Sequence, residues 1–318
     1  MQSAFATDLT QIKSSLLLDI TSLDQQNLIA VGERGHILTK QVNSDWQLKN
    51  SPTDNTLTAV YAINKNDIWA VGHLGTVLHS LDGGESWQIS LQLETNSPFL
   101  DVIFLTAEHG IAIGAYGLFY RTQDGGETWQ KEIHASILSV DDQAYLDEIK
   151  QDSPELFDDE AAALQPHLNR IKLLEDGRLI LVGELGLIAI SDDFGHSWQR
   201  LEDIYQGSYF EVGANNQVLV GGLRGHLFAS ELNAAQGFDW QEIEITEPVN
   251  INSVLALDNN RWLLMGNSQT VWIWQAQTQI AKPLVKLKSK AVLNGAILND
   301  QIWFVGDKGL EAINKSVL

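Results

Sequence analysis

The sequence predicts an all-β fold, a seven-bladed β-propeller of four-stranded blades, on two observations. The first is a G-x-x-G motif between two apolar runs, which recurs along the 318 residues. Its first glycine is Gly32, Gly72, Gly114, Gly183, Gly222, Gly266 or Gly306, and in the copy at Gly266 the second glycine is replaced by Gln269. The steps are 40, 42, 69, 39, 44 and 40 residues, and a period of this size built from short strands is typical of a propeller. The second is an S/T-x-D-x-G-x-S/T-W turn after the best copies, so the chain divides into seven units with one insertion.

The second copy shows the four strands of a blade most clearly. Residues 56–63 predict the first strand, 68–72 the second, 76–80 the third and 87–91 the fourth. Short apolar runs between clusters of Gly, Asn and Asp, such as the polar turn at 64–67, are strand signals. The first glycine of each pair can supply a positive φ or permit a close approach of two backbones.

The seventh copy ends before its fourth strand. After residues 310–313 only five residues remain, and no Trp-containing outer strand follows. Residues 3–9 precede the first strand of blade 1. We expect this N-terminal segment to add the fourth strand of blade 7, which would close the ring and remove its exposed edge.

The composition fits one domain over residues 1–318 and argues against several functions. A net charge of −21 makes nucleic acid a poor partner. The absence of cysteine excludes disulfides, thiol nucleophiles and cysteine metal sites. No apolar run approaches the roughly 18 residues of a membrane span, so we expect no direct membrane insertion. The eight histidines are scattered and no catalytic or nucleotide-binding motif occurs, so we expect no metal and no cofactor.

The N-terminus bears on localisation. Ala4-Phe5-Ala6 matches the A-x-A pattern of a signal-peptide cleavage site. The match indicates either a mature exported protein or an ordinary edge strand. We expect a periplasmic or otherwise exported protein, with the cytoplasm as the alternative.

The long step places an acidic insertion at residues 139–167, between the last strand of blade 3 and the first strand of blade 4. Nine of its residues are Asp or Glu against one Lys, so it contributes −8 to the net charge of −21 and leaves −13 on the rest. The spacing of Tyr145, Leu146 and Ile149, and the cap-like Ser153-Pro154-Glu155, predict a short pair of helices. The segment is either a solvated excursion or a docking element with Asp158, Asp159 and Glu160 as candidate contacts.

Propeller connectivity sorts the loops onto two faces. The G-x-x-G turns share one face with the blade-to-blade links and the insertion, whereas the Asp-Gly-Gly turns lie on the other. The residues inside each G-x-x-G include basic and aromatic side chains, and basic groups on an acidic body suit an acidic ligand or partner segment. The alternative is a set of ordinary hairpin tips. The candidate partner-binding residues at these tips are Arg34, His73, Tyr116, Arg224 and Lys308.

The S/T-x-D-x-G-x-S/T-W turns, which we call Asp-box turns, are predicted to be structural. Each Asp can accept hydrogen bonds from the N–H groups of its own turn, and each Trp can bury a large apolar area between blades. The aspartates belong to separate blades at the rim, which argues against paired catalytic carboxylates. The residues in this group are Asp82, Gly84 and Trp87, Asp124, Gly126 and Trp129, and Asp193, Gly195 and Trp198.

The fused pattern A-V-G-x-x-G-x-V-L-x-S-x-D-G-G-x-S-W around Gly72 carries a family resemblance. It resembles the Asp-box, or bacterial neuraminidase repeat, superfamily, and within it the photosystem II assembly and stability factor family of seven-bladed propellers. The resemblance covers nearly all of the chain, with blades 2 to 4 strongest, and indicates a non-photosynthetic bacterial relative. It implies a non-catalytic protein that helps to assemble or stabilise a membrane protein complex. A sialidase is not expected, because the F/Y-R-I-P motif is absent and none of the seven arginines lies in a catalytic setting.

We therefore predict a non-catalytic scaffold, monomeric on its own, that binds a membrane protein or envelope complex such as a transporter. One alternative is a glycan-binding or glycoside-hydrolase-like Asp-box protein that uses the central pocket. Another is a permanent accessory subunit of a bacterial membrane exporter. An enzyme would need acids and bases that converge near the axis of the ring, and none is recognised in the sequence.

Overall fold

The computed structural model describes residues 9–232 and 237–318, and within them the chain forms seven antiparallel sheets arranged as blades. Consecutive strands pair in order from the axis outwards, so the predicted seven-bladed propeller is confirmed. The strands of the first four blades are β1–β4 (Leu17–Ser22, Asn27–Gly32, Ile37–Gln41, Gln47–Lys49), β5–β8 (Leu57–Ala62, Ile68–Gly72, Thr76–Ser80, Gln88–Gln92), β9–β12 (Phe99–Phe104, Gly110–Gly114, Phe119–Thr122, Gln130–Lys131) and β13–β16 (Leu168–Leu173, Leu179–Gly183, Ile188–Ser191, Gln199–Arg200).

The last three blades depart from four strands in two places. Their strands are β17–β20 (Tyr209–Ala214, Gln217–Gly222, Leu227–Glu231, Gln241–Glu242), β21–β25 (Glu244–Ile245, Ile251–Ala256, Arg261–Gly266, Thr270–Gln275, Ile280–Lys286) and β26–β28 (Val292–Leu298, Gln301–Gly306, Gly309–Asn314). Blade 6 has an unpredicted fifth strand, because β21 pairs in parallel with the outer strand β25 and covers its edge. Blade 7 has three strands in the part of the chain that the structure describes.

The first glycine of each repeat permits a close backbone approach. In all seven blades the innermost strand bulges near its start, opposite this glycine. A Cβ on Gly72 would collide with the carbonyl oxygen of Thr56, and the equivalent glycines meet the equivalent carbonyls. The φ of Gly72 is −175°, which is ordinary extended backbone. Of the two roles open to this glycine, the structure therefore assigns close approach, and in blades 1 to 5 the positive φ falls on the second glycine and on the residue before it.

The core lies between the blades, where each Asp-box Trp packs against the blade before its own. Trp87 of blade 2 lies in a buried cluster with Ile29 and Ile37 of blade 1. Trp198 of blade 4 likewise packs with Ile111 of blade 3. Burying a ring of this size removes a large apolar area from water and holds neighbouring blades together.

The ring closes where blade 7 meets blade 1. Leu17 packs in one cluster with Val305, and the Leu310 N–H donates to the Lys13 carbonyl (2.9 Å). The indole of Trp46 meets that of Trp303 edge-on at 5.4 Å. Of the predicted closing strand at 3–9, residues 3–8 lie outside the described residues, and Leu9 begins a helix instead of ending a strand.

Within the described residues three α-helices accompany the blades: α1 (Leu9–Ile12), α2 (Val140–Asp152) and α3 (Phe157–Ala163). The last two form the expected helical pair, with Ser139 capping α2 by accepting a hydrogen bond from the Asp142 N–H (3.1 Å). Leu146 is buried against Leu138 and Ala161. None of the helices in residues 9–232 and 237–318 is long and apolar enough to cross a membrane.

Candidate functional site

The G-x-x-G hairpins and the blade-to-blade links lie together on one face, which we call the tip face. In blades 2, 3 and 4 the second glycine of the motif donates to the link that leads into the next blade, as in Gly75 N–H to Ser97 (3.1 Å) and Gly117 N–H to Pro166 (2.9 Å). The Asp-box turns bond instead to the turns between strands 1 and 2, as in Gly83 N–H to Asn66 (3.0 Å). The two sets of loops therefore divide between opposite faces, in agreement with the connectivity argument.

The first variable residue of several tips holds the incoming link. The Glu33 carboxylate accepts from the Leu16 N–H (3.2 Å), and the Asp307 carboxylate accepts from the Lys290 N–H (2.7 Å). Glu184 does the same for the His167 N–H (3.2 Å). These acidic side chains satisfy backbone groups, so this position is structural in blades 1, 4 and 7.

The second variable residue points to solvent from a left-handed backbone. Its φ lies between 54° and 59° at Arg34, Leu74, Tyr116, Leu185 and Arg224, and each of these side chains is exposed. Lys308 is the exposed residue at the tip of blade 7. Around the ring, the tips of blades 5, 7 and 1 are thus basic, and those of blades 2, 3 and 4 carry large uncharged side chains.

The predicted partner-binding residues are all on this face, but they do not form one cluster. Arg34 and Lys308 belong to neighbouring blades, whereas Arg224 is separated from them by blade 6. His73 is exposed at blade 2. Lys288 and Lys290 are exposed in the link beside Lys308 and extend the basic region.

The acidic insertion joins the tips of blades 3 and 4. The rings of Tyr116 and His167 lie 4.5 Å apart, and His167 is hydrogen-bonded to Glu184. Arg200 donates to the carbonyls of Leu185 (2.6 Å) and Ile137 (2.9 Å), which ties the start of the insertion to blade 4.

In the insertion, which lies wholly within the described residues, two of the three candidate acidic side chains form no hydrogen bond or ion pair with the rest of the insertion. Asp158 and Asp159 are exposed in the first turn of α3. Glu160 is half-buried and accepts a hydrogen bond from the Tyr145 hydroxyl (3.0 Å). Among the described residues, no group of His, Asp or Glu side chains is arranged to hold a metal ion.

The Asp-box carboxylates are occupied by their own turns. Asp82 accepts from the Ser86 N–H (2.8 Å) and hydroxyl (2.6 Å). The turns of blades 3 and 4 repeat these bonds. Hydrogen bonds from the hydroxyl and N–H of Thr128 lower the pKa of Asp124 to about 2. These aspartates therefore stabilise their own turns.

Sequence reasoning missed a polar ring around the propeller axis, which we call the axial ring. In every blade except blade 2, where it is Ala59, the residue after the inner-strand bulge is polar and lines a central cavity of about 670 Å³. Its polar members are Asp19, Asp101, Arg170, Glu211, Ser253 and Asn294. Acidic side chains and the cationic Arg170 do therefore converge near the axis, which corrects the expectation that no such groups would meet there.

Arg170 is the cation of the axial ring. Its guanidinium lies 3.4 Å from a carboxylate oxygen of Asp101 on blade 3 and 3.4 Å from one of Glu211 on blade 5. Burial raises the pKa of Asp19 and of Asp101, and it raises that of Glu211 to about 7. One cation thus faces three buried carboxyl groups, and the excess of acids resists ionisation.

The axial ring fastens blade to blade. Asp19 accepts from the Val60 N–H of blade 2 (2.8 Å), and Asp101 accepts from the Ile171 N–H of blade 4 (2.9 Å). Asn294 of blade 7 donates to Asp19, which joins the two ends of the ring. Through these hydrogen bonds the carboxylates of the axial ring connect neighbouring blades. A sequence signal did exist, since each member lies 11 to 13 positions before the first glycine of its repeat.

Comparison with known proteins agrees with this architecture. The family described as "Photosynthesis system II assembly factor YCF48" matches residues 87–208, and the resemblance predicted from the sequence is confirmed. The solved structure "YCF48 bound to D1 peptide" is similar over 95% of this chain and 93% of its own, with a TM-score of 0.69 and 16% identity. The structure "YCF48 from Cyanidioschyzon merolae" is similar over 95% of this chain and 97% of its own, with a TM-score of 0.70 and 15% identity.

A propeller of another family is equally close in shape. The WD40 propeller domain of Doa1 covers 95% of this chain and 94% of its own, with a TM-score of 0.69 and 11% identity. At such identities the structural likeness shows the fold alone. No curated protein matches the chain significantly in sequence.

Proposed function

We propose, from the match of residues 87–208 to the photosystem II assembly factor family, that this chain is a non-catalytic scaffold that binds a membrane protein or envelope complex and assists its assembly or stability. A protein of the same fold has been solved with a peptide of the membrane protein D1, which supports a partner of this class. We place its site of action in the periplasm or another exported location. A bacterial transporter is one such partner.

The arginines of the tip face support docking there. Arg121, Arg170, Arg178, Arg200 and Arg261 all form ion pairs with Asp or Glu. Arg34 and Arg224 form none within the described residues, although the body carries 41 acidic side chains. An exposed guanidinium left unpaired on an acidic protein is available for a carboxylate of a partner.

The axial ring does not favour catalysis. Its acids accept hydrogen bonds from backbone N–H groups or pair with Arg170, which gives them a structural role between the blades. A docking role explains the unpaired tip residues, which a catalytic role would not.

The test compares two double variants of equal charge. Arg34→Ala/Arg224→Ala removes the tip cations, and Lys65→Ala/Arg261→Ala removes two cations from the opposite face. Tagged proteins are used to recover partners from detergent-solubilised membranes of the native cell. We expect the control variant to recover the same membrane protein as the wild type and the tip variant to recover about tenfold less, a loss typical of a desolvated charge contact. Equal recovery by both variants would refute docking through these arginines.

A further inference from the structure

We propose that the tips of blades 2, 3 and 4 form an apolar docking arc for a partner segment that is apolar on one side and basic along its flank. The arc consists of Leu74, Tyr116 and Leu185. The inference rests on the proposed function in that the partner is a protein that docks on the tip face. It adds a contact distinct from the cations of blades 5, 7 and 1.

The positions of these three side chains are unfavourable in two ways, because apolar groups are exposed to solvent and the backbone is left-handed. They are 40%, 69% and 63% exposed, in chain order. Their φ values of 56°, 54° and 55° place them in the left-handed region, where Gly or Asn is preferred. The same position is Arg in blades 1 and 5, so the hairpin does not require an apolar residue. Strained, exposed apolar side chains on three consecutive blades indicate selection for a contact.

The arc is continuous with a groove beside the insertion. Tyr116 meets His167 at the end of the insertion, and Leu185 is tied through Arg200 to Ile137 at its start. Between α2 and β16 runs a groove of about 660 Å³, at whose edge Val140 is 80% exposed. The apolar tips and this groove together offer an extended surface for a single polypeptide segment.

The acidic residues beside the arc indicate that the flank of the partner segment is basic. The groove is lined by Asp141, Glu202 and Asp203, and its one cation, Arg200, is paired with Asp203 (2.9 Å). The insertion carries nine acids against one Lys, and that Lys150 lies over the ring of Phe157. A segment with basic residues flanking an apolar stripe complements this surface, as an amphipathic helix does.

Synthetic peptides test the arc without knowledge of the native partner. The probe is a Leu/Lys peptide of about 18 residues with apolar positions at i, i+3, i+4 and i+7. A scrambled peptide of the same composition controls for simple attraction to an acidic protein, and a Leu/Glu peptide controls for the basic flank. Fluorescence anisotropy at physiological salt measures each affinity.

The opposite face provides matched control variants. Phe194, with φ 60° and 62% exposure, matches Leu185, and Leu81, 70% exposed, matches Tyr116. We expect the wild type to bind the amphipathic Leu/Lys peptide at least about tenfold more tightly than the scrambled or Leu/Glu peptide. Tyr116→Asn/Leu185→Asn should abolish that preference, and Leu81→Asn/Phe194→Asn should keep it. Thermal melting of all variants shows whether each remains folded.

Two outcomes would overturn the arc. One is equal affinity for the amphipathic and scrambled peptides, which would mean non-specific attraction to the acidic surface. The other is an equal effect of both double variants. Failure of the arginine test described above leaves this result standing, and failure here leaves the arginine contact standing, so the two proposals fall separately.

Discussion

Replacing Glu211 by Gln should flatten the dependence of stability on pH. In the folded protein, burial raises the pKa of Glu211 from 4.5 to about 7, although Arg170 and Lys172 lower it and Asp101 and Asp19 raise it further. A carboxyl with a raised folded pKa binds more protons when folded than when unfolded. Its contribution is therefore fully present below pH 4.5 and is lost as the pH rises through about 7.

The size of the effect follows from the shift. The rise of the pKa from 4.5 to about 7 corresponds to roughly 3 kcal/mol, most of which falls between about pH 5 and pH 8. Because the protein is least soluble near its isoelectric point of about 4.6, the unfolding series starts at about pH 5. Glu211→Gln removes the titrating group and also relieves the repulsion of Asp101, so both changes flatten the profile.

Urea unfolding measured in steps across this range gives the free energy of unfolding for wild type and variant. We expect the wild type to lose roughly 2–3 kcal/mol more than Glu211→Gln as the pH rises from about 5 to about 8. The exposed Glu202→Gln serves as the control and should follow the wild type. Parallel profiles for wild type and Glu211→Gln would refute the assignment of a raised pKa to this buried carboxyl.

Three further predictions test other parts of the structure. Arg170→Met removes the nearest counter-charge of three buried carboxyls and should cost about 3–5 kcal/mol at neutral pH and less near pH 5, by urea unfolding; a loss below about 1 kcal/mol at both values would contradict the role of Arg170. Leu185→Asn and Phe194→Asn relieve left-handed strain and should each raise the free energy of unfolding by about 1 kcal/mol, whereas unchanged stability would show that these loops carry no strain. Thr128→Val removes the hydroxyl bond to Asp124 and should raise the pKa of that carboxyl from about 2, by NMR titration; an unchanged pKa would mean that the hydroxyl does not hold it low.

The repeats in the sequence predicted the blades because each copy contains its own four-strand pattern. Residues 68–72 and 76–80 of blade 2 form strands where the pattern placed them. The fifth strand of blade 6 escaped notice because Glu244 and Ile245 directly follow the fourth strand of blade 5 in the sequence, and only the fold shows that they pair with blade 6.

The axial ring and the two roles of the tip residues escaped prediction for a different reason. Asp19, Asp101 and Glu211 are far apart in the chain and meet only when the ring closes. Within one G-x-x-G, sequence alone does not show that Glu33 turns in to the link while Arg34 turns out to solvent. Both features depend on neighbouring blades, which the pattern of a single repeat does not contain.

Site-specific photocross-linking in native membranes tests most directly whether the tip face docks a membrane protein. A photoreactive residue placed at 34 or 224 reports on the tip face, and one placed at 65 or 261 reports on the opposite face. We expect positions 34 and 224 to cross-link the same membrane protein and positions 65 and 261 to give no such adduct. Adducts from the opposite face alone, or equal adducts from both faces, would contradict docking through the tip face.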